Sequence, residues 1–256
     1  MTDMAAMISR VLTENQTVIG YDIQPDAESR YKDRKELSQL SEELDRFLTL
    51  LLKANESFNL TAIKQPEEAA LRHFADSLTL LPLLPYGARV LDVGCGAGFP
   101  SVPLALARPD LKITAMDSTG KKVAFLKQVM QEFPIRNADA LCERAESLSA
   151  RPVFREHFDV VTARAVARLR VLVELCLPFV KEGGVMIAMK GPLAGEETEE
   201  AQNAIRMLGG EWGENRLLTL TSPEETLERS LILIQKVRKT PKIYPRQYAA
   251  ITKNPL

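Results

Sequence analysis

The chain has 256 residues, 45% of them hydrophobic and 26% charged, with 33 Lys and Arg against 34 Asp and Glu for a net charge of −1. That composition belongs to a globular protein with a substantial core, and no run approaches the roughly 18 apolar residues of a membrane span or forms a basic-then-apolar leader, so a cytoplasmic protein without membrane association is expected. Three widely spaced cysteines, Cys95, Cys142 and Cys176, and two histidines, His73 and His157, exclude a disulfide framework and a structural metal site.

The first thirty residues are weakly patterned, with a short helix predicted over 4–12. Leu37, Leu40, Leu44, Phe47, Leu48 and Leu51 then recur at three- and four-residue steps, the signature of an amphipathic helix packed on a core. Asp33 and Glu36 predict a capping box at its start. A second helix is predicted over 66–81, with Pro66 in its first turn. It carries His73, which either lines a site entrance or pairs with Asp76 at i+3 on the helix surface.

From residue 88 onward, strands at 89–93, 111–117, 138–142, 158–163 and 184–189 alternate with helices at 100–107, 119–132, 168–180 and 195–208. This is the pattern of a mainly parallel sheet covered on both faces. Strand-like runs at 216–220 and 230–235 have no helix-length segment between them, which predicts an antiparallel hairpin at the sheet edge.

The first of these strands ends in Asp92 and runs into Gly94, Gly96 and Gly98 at alternate positions. Glycine there permits positive φ and lets main chain approach a ligand in the crevice beyond the strand's carboxyl end. The backbone N–H groups and the next helix N-terminus are expected to face that ligand. A dinucleotide fingerprint needs its third glycine at 99, where this chain has Phe99. The second strand ends in Asp117, about twenty residues on, a carboxylate placed to accept from both hydroxyls of a ribose; as an alternative it caps the helix at 119–132. Cys95, inside the turn, is expected to be a small buried residue and not a nucleophile.

Charge is unevenly spread. Lys236, Arg238, Lys239, Lys242, Arg246 and Lys253 follow one another without an acid, after a stretch rich in glutamate. The C-terminus is therefore either a contact for a phosphate-rich partner or a solvated tail.

Asn59-Leu60-Thr61, the run 72–78 from Arg72 to Leu78, Leu91 to Pro103, Arg144-Ala145-Glu146, Thr162 to Ala167 and Tyr244-Pro245-Arg246 together resemble the ribosomal RNA small subunit methyltransferase G family, also called the glucose-inhibited division protein B family. The likeness runs from about residue 35 to the C-terminus. It implies an α/β class I S-adenosylmethionine-dependent methyltransferase, Rossmann-like, with a mainly parallel seven-stranded sheet, an antiparallel terminal hairpin and preceding N-terminal helices. Residues 1–65 would form the helical segment, 66–240 the methyltransferase domain and 241–256 the basic tail. The implied reaction moves a methyl group from S-adenosylmethionine to N7 of a guanine in the decoding region of bacterial 16S rRNA, free or in the small ribosomal subunit. Methylation of another RNA or a small molecule, and a non-catalytic RNA-binding scaffold, are the alternatives.

Carried over by that resemblance, Gly94 and Phe99 contact the cofactor, Ala145 and Glu146 hold its adenine end and Arg164 lies beside it; the glycine turn and the acids at the ends of the first two strands add Asp92, Gly96, Gly98 and Asp117 to the cofactor site. The tail departs from the family, reading Arg246-Gln247-Tyr248-Ala249 where many members have an Arg-Lys-x-Gly-Thr-Pro-like ending. Guanine N7 attacks with its own lone pair, so no general base is required. Arg164 and His73 are then orienting candidates, and Arg164→Ala is expected to cut turnover while leaving the fold intact. Arg168, Lys242 and Arg246, with Lys121, Lys122 and Arg170, are candidates for RNA phosphates. No metal is expected, and a monomer is the default.

Overall fold

The structure is a computed structural model that describes residues 3–21, 33–133, 135–192 and 194–256. Strands β1 (Arg89–Val93), β2 (Lys112–Asp117), β3 (Ala138–Cys142), β4 (Phe158–Arg164) and β5 (Val180–Lys190) run parallel, and β6 (Gly210–Thr221) and β7 (Thr226–Lys236) form the antiparallel hairpin. The sheet order is β3-β2-β1-β4-β5-β7-β6. It is the expected mainly parallel sheet with its antiparallel end. Chain order reverses between β1 and β4, which opens a crevice at their carboxyl ends.

Both faces of the sheet are covered because its strands are apolar on both sides. Val90, Ile113, Ala115 and Val160 face a core shared with α5 (Ser101–Ala107) and α6 (Gly120–Glu132). Leu91, Val93, Val161 and Ala163 face the other core, with α8 (Leu169–Cys176) and α9 (Ala194–Met207).

The N-terminal helices α1 (Asp3–Glu14) and α2 (Leu37–Phe58) add to the first core. Leu40, Leu44, Phe47, Leu48 and Leu51 are all buried there, along the predicted stripe. At the end of α1 the Asn15 amide donates to Thr221 O (2.7 Å) and accepts from Thr221 N (2.9 Å), completing the edge of β6. The capping box does not form. The helix starts at Leu37 with Glu36 in the cap position and no side-chain cap bond, and the Asp33 carboxylate accepts from the Tyr86 hydroxyl.

Three other expectations need adjustment. The helix over 66–81 is α3 (Pro66–Ala69), a π-helical turn Ala70–Ala75 and α4 (Asp76–Leu78), followed by a 3₁₀ turn at Leu81–Leu83; the wide turn re-aims Arg72 and His73. The helix over 168–180 ends at Cys176, where Pro178 permits only a 3₁₀ turn. The hairpin is longer than its apolar runs suggested, since Glu211, Glu214 and Arg216 interrupt the apolar pattern of β6 and the register breaks between Trp212 and Glu214, where a Cβ on Gly213 would stand 2.9 Å from Leu233 O.

Candidate active site

A crevice of about 370 Å³ lies across the carboxyl ends of the parallel strands. Val93 ends β1 and Gly94 follows it, Met116 and Asp117 end β2, Ala145 and Glu146 open α7 (Ala145–Leu148), and Ala165 and Val166 follow β4. Of the residues expected to bind the cofactor, Gly94, Asp117, Ala145 and Glu146 are brought together here. Asp92, Gly96, Gly98, Phe99 and Arg164 do not line it.

The glycine turn works differently from the expectation. Gly94 N and Cys95 N both donate to Met116 O (2.8 and 2.9 Å), Gly96 N donates to Asp117 Oδ2 (3.1 Å), and Gly98 N and Phe99 N donate to Cys95 O (2.9 and 3.0 Å). These amides are engaged within the protein and do not point unpaired at a ligand. What the turn supplies is close approach. A Cβ on Gly94 would meet Val166 Cγ2 at 2.6 Å, and one on Gly98 would meet Leu126 and Val102 at 2.6 and 2.7 Å. Gly98 is thus a packing residue under α5 and α6, whereas Gly94 sits in the crevice wall.

Asp117 is the polar anchor of the site. Oδ1 accepts from Thr119 N (2.8 Å), Oδ2 from Gly96 N (3.1 Å), and Lys122 Nζ stands 3.6 Å away. The helix-cap and ligand readings therefore coexist: each oxygen spends one acceptor position on backbone and keeps another. A fixed carboxylate with two such positions in a crevice wall fits the paired hydroxyls of a ribose, so the residues present fit a nucleoside cofactor.

Asp92 corrects the sequence reading. It is buried beneath the turn, with Oδ2 accepting from the Ser101 hydroxyl and Oδ1 lacking a protein partner. Burial pushes its pKa up to about 7. Beside it, burial with Asp92 and Asp117 raises the Cys95 thiol well above its ordinary value, so this cysteine is no thiolate nucleophile.

Phe99 and Arg164 belong to a second assembly behind the crevice. The Phe99 ring is buried between His73, with centroids 4.1 Å apart and planes at 15°, and Phe47 at 5.4 Å; the Arg164 guanidinium lies 5.2 Å from its centroid. Arg164 Nη1 donates to Asp76 Oδ2 (3.1 Å) and to Arg72 O (3.0 Å), and Arg229 Nε donates to the other oxygen of Asp76 (2.9 Å). The arginine expected beside the cofactor is therefore committed to a buried carboxylate. His73 does not pair with Asp76. Its Nε2 meets Thr61 Oγ1 at 2.9 Å and its Nδ1 lies 3.5 Å from Arg164 Nη2. Burial, and then the Arg164 charge, push the imidazole pKa down to about 3, so it is neutral.

The basic candidates divide. Arg168 is half exposed and paired with Glu200 (2.8 Å), with Arg170 3.8 Å from the same carboxylate; Lys122 lies beside Asp117. Lys242 is exposed, near Glu146 and Tyr244. Arg246 is a correction: its Nε and Nη2 donate to the fully buried Glu174 at 2.9 and 2.6 Å, so its charge is satisfied inside the protein. Val166, Leu175 and Tyr248 line the crevice without having been anticipated. Among the described residues no cluster of three metal-ligating side chains occurs, and no helix is long and apolar enough to cross a membrane.

The sequence family described as rRNA small subunit methyltransferase G matches residues 40–225. The protein of that name from Lactobacillus delbrueckii subsp. bulgaricus is 44% identical over 235 residues, 90% of this chain and 98% of that one. Its counterpart from Bacillus cereus is 43% identical over 229 residues, 88% of this chain and 95% of that one. Among solved structures, precorrin-6y C5,15-methyltransferase from Geobacter metallireducens GS-15 superposes with a TM-score of 0.50 at 18% identity, covering 70% of this chain and 92% of that one, a likeness of fold alone.

Proposed function

This chain belongs to the rRNA small subunit methyltransferase G family, and from that premise we propose that it transfers a methyl group from S-adenosylmethionine to N7 of a guanine in the decoding region of bacterial 16S rRNA. The observation that carries the cofactor half is Asp117, held by two backbone amides in the wall of a crevice at the point where strand order reverses. Family membership carries the rRNA half.

When bound, S-adenosylmethionine supplies an electrophilic methyl group on a sulfonium. Asp117 accepts from the ribose hydroxyls, the Ala145 amide donates to an adenine ring nitrogen and Glu146 accepts from the exocyclic amine. Gly94 keeps the wall open where any side chain would strike Val166. The Arg164–Asp76 pair neutralises a cation only one residue before the crevice-lining Ala165, which removes a repulsion against a positively charged cofactor.

Guanine N7 needs no proton removed during attack, and the residues suit that chemistry. His73 is neutral and engaged with Thr61, and Asp92 is buried under the turn. The task of the protein is to align acceptor, methyl group and sulfur and to exclude water. Arg168 and Lys242 are the cations proposed to hold phosphates around the target. The reading is completed by a cytoplasmic protein acting as a monomer.

The test supplies the pure protein with labelled S-adenosylmethionine and either free 16S rRNA or small subunits lacking the modification, then maps the methylated nucleotide by mass. One methyl group at N7 of a single guanine is expected. Label at another atom removes the N7 assignment, and no incorporation into either substrate removes the proposed reaction.

A further inference from the structure

The segment after β7 has the composition of a solvated basic tail, but it is a strap. Arg155, from the loop before β4, donates to Tyr244 O and Thr240 O at 3.0 Å each. Two residues after Tyr244, Arg246 closes on the buried Glu174 of α8 through its backbone amide (2.8 Å) as well as its guanidinium. The short helix α10 (Tyr248–Lys253) follows, with Ile251 fully buried in the core shared with α8. Anchors thus stand on both sides of Tyr248, Arg246 before it and Ile251 after it.

Those anchors place Tyr248 at the crevice. Tyr248 lines it together with Glu146 and Leu175, and Glu146 also lines the neighbouring hollow with Tyr244 and Pro245. The residue as a whole remains 39% exposed. Among the described residues no other aromatic ring stacks on it. A nucleoside whose ribose is held by Asp117 must seat its base against the next stretch of wall. There, Ala145 and Glu146 offer partners for the polar edge, and a π-face needs a flat apolar surface.

We propose that Tyr248 is the outer wall of the base subsite, its ring stacking on the adenine of the nucleoside cofactor. The proposal rests on the reading that the crevice takes S-adenosylmethionine, and it deepens that reading by naming a residue outside the strand-end motifs. The Arg246–Glu174 clasp preorganises the ring, so little ordering remains to be done on binding.

Calorimetric titration of the full chain tests it, using S-adenosylmethionine and 5′-methylthioadenosine, which keeps the base and ribose and lacks the amino-acid portion. Base–aromatic stacking predicts that Tyr248→Ala weakens both ligands by at least about fivefold and by the same factor. Tyr248→Phe should stay within about twofold of the original affinity, since the ring face is retained. The thermal midpoints of both variants report that the fold is kept. Unchanged affinity in Tyr248→Ala overturns the proposal, as does a loss confined to S-adenosylmethionine or to rRNA binding. If the unaltered protein binds neither ligand, the cofactor reading itself fails and takes this one with it.

Discussion

Arg164 donates from Nη1 to Asp76 Oδ2 at 3.1 Å, joining the end of β4 to the helical segment that precedes the sheet. Asp76 is fully buried and also receives Arg229, so one carboxylate compensates two guanidinium groups. Asp76→Ala strands both. Removing one partner of a buried pair typically costs about 3–5 kcal/mol, and Asp76→Ala is expected to lose that much in urea denaturation at neutral pH. Arg164→Met should lose less, because Arg229 still neutralises Asp76. Arg164 is therefore expected to matter to stability as well as to turnover, contrary to an orienting role that leaves the fold untouched. Equal stability of Asp76→Ala and the unaltered protein would dismiss the pair as a structural link.

Two buried groups with opposite pKa displacements predict opposite pH dependences. His73 titrates near 6.5 when unfolded and about 3 when folded, so the unfolded chain takes the proton first; the stability His73 contributes is complete above about 6.5 and lost as pH falls toward 3. Asp92 titrates near 3.8 when unfolded and about 7 when folded, so its burial is free of penalty in acid and costs progressively more as pH rises from about 4 to 7. Between about pH 4 and 6.5 the two slopes oppose each other. Asp92→Asn should leave the His73 slope exposed, with stability rising with pH by up to about 1.4 kcal/mol per unit. His73→Gln should leave the Asp92 slope and tilt the other way. Denaturation midpoints across this range decide it: parallel profiles for the two variants would contradict both assignments.

The three glycines of the turn are unequal, and substitution separates them. Gly96 has φ +58° and nothing within 4 Å of the point where a methyl group would stand, so Gly96→Ala carries the left-handed backbone cost alone, about 1–2 kcal/mol. Gly98 has φ +106° and would drive a Cβ to 2.6 Å from Leu126 Cδ2 and 2.7 Å from Val102 Cγ2. Gly98→Ala must add overpacking of about 1–3 kcal/mol to its backbone strain. Thermal denaturation of the two variants should therefore rank Gly98→Ala well below Gly96→Ala, and the reverse order would rule out this account of the turn.

What the chain disclosed as a string of letters followed the range of each interaction. The strand around Val90 was legible because burial on both faces writes an apolar run, the strand around Ile113 because its residues alternate, and Asp117 because its distance from Gly94 along the chain is set by one crossover. The glycines announced a turn without saying which oxygen would take each amide, so engagement with Met116 O and Asp117 was hidden. Phe99 lay next to the motif yet points into the aromatic cluster around Phe47 and His73, which depends on helices far from it in sequence. Arg246 looked like a free base because Glu174, its neutralising partner, stands 72 residues upstream. Tyr248 carried no periodic or motif signal, and only the strap's anchors bring it to the crevice.

Arg246 and Lys242 should separate in their response to salt. A cation that neutralises an RNA phosphate releases counterions, so its removal lowers the slope of log affinity against log salt by about one. Arg246 is already neutralised by Glu174, a carboxylate with no exposed surface, and has no charge to lend. Arg246→Ala would leave that carboxylate buried and unpaired, at a cost of about 3–5 kcal/mol, and would confuse unfolding with weakened binding. The double replacement Arg246→Gln with Glu174→Gln avoids this by removing both charges and keeping hydrogen-bonding amides at both positions. It should bind small-subunit rRNA with an unchanged salt slope. Lys242→Ala, at an exposed position, should keep its thermal midpoint and lose about one unit of slope. Filter-binding at several salt concentrations measures both, and a slope that falls with the double replacement but not with Lys242→Ala would return Arg246 to the RNA interface and remove Lys242 from it.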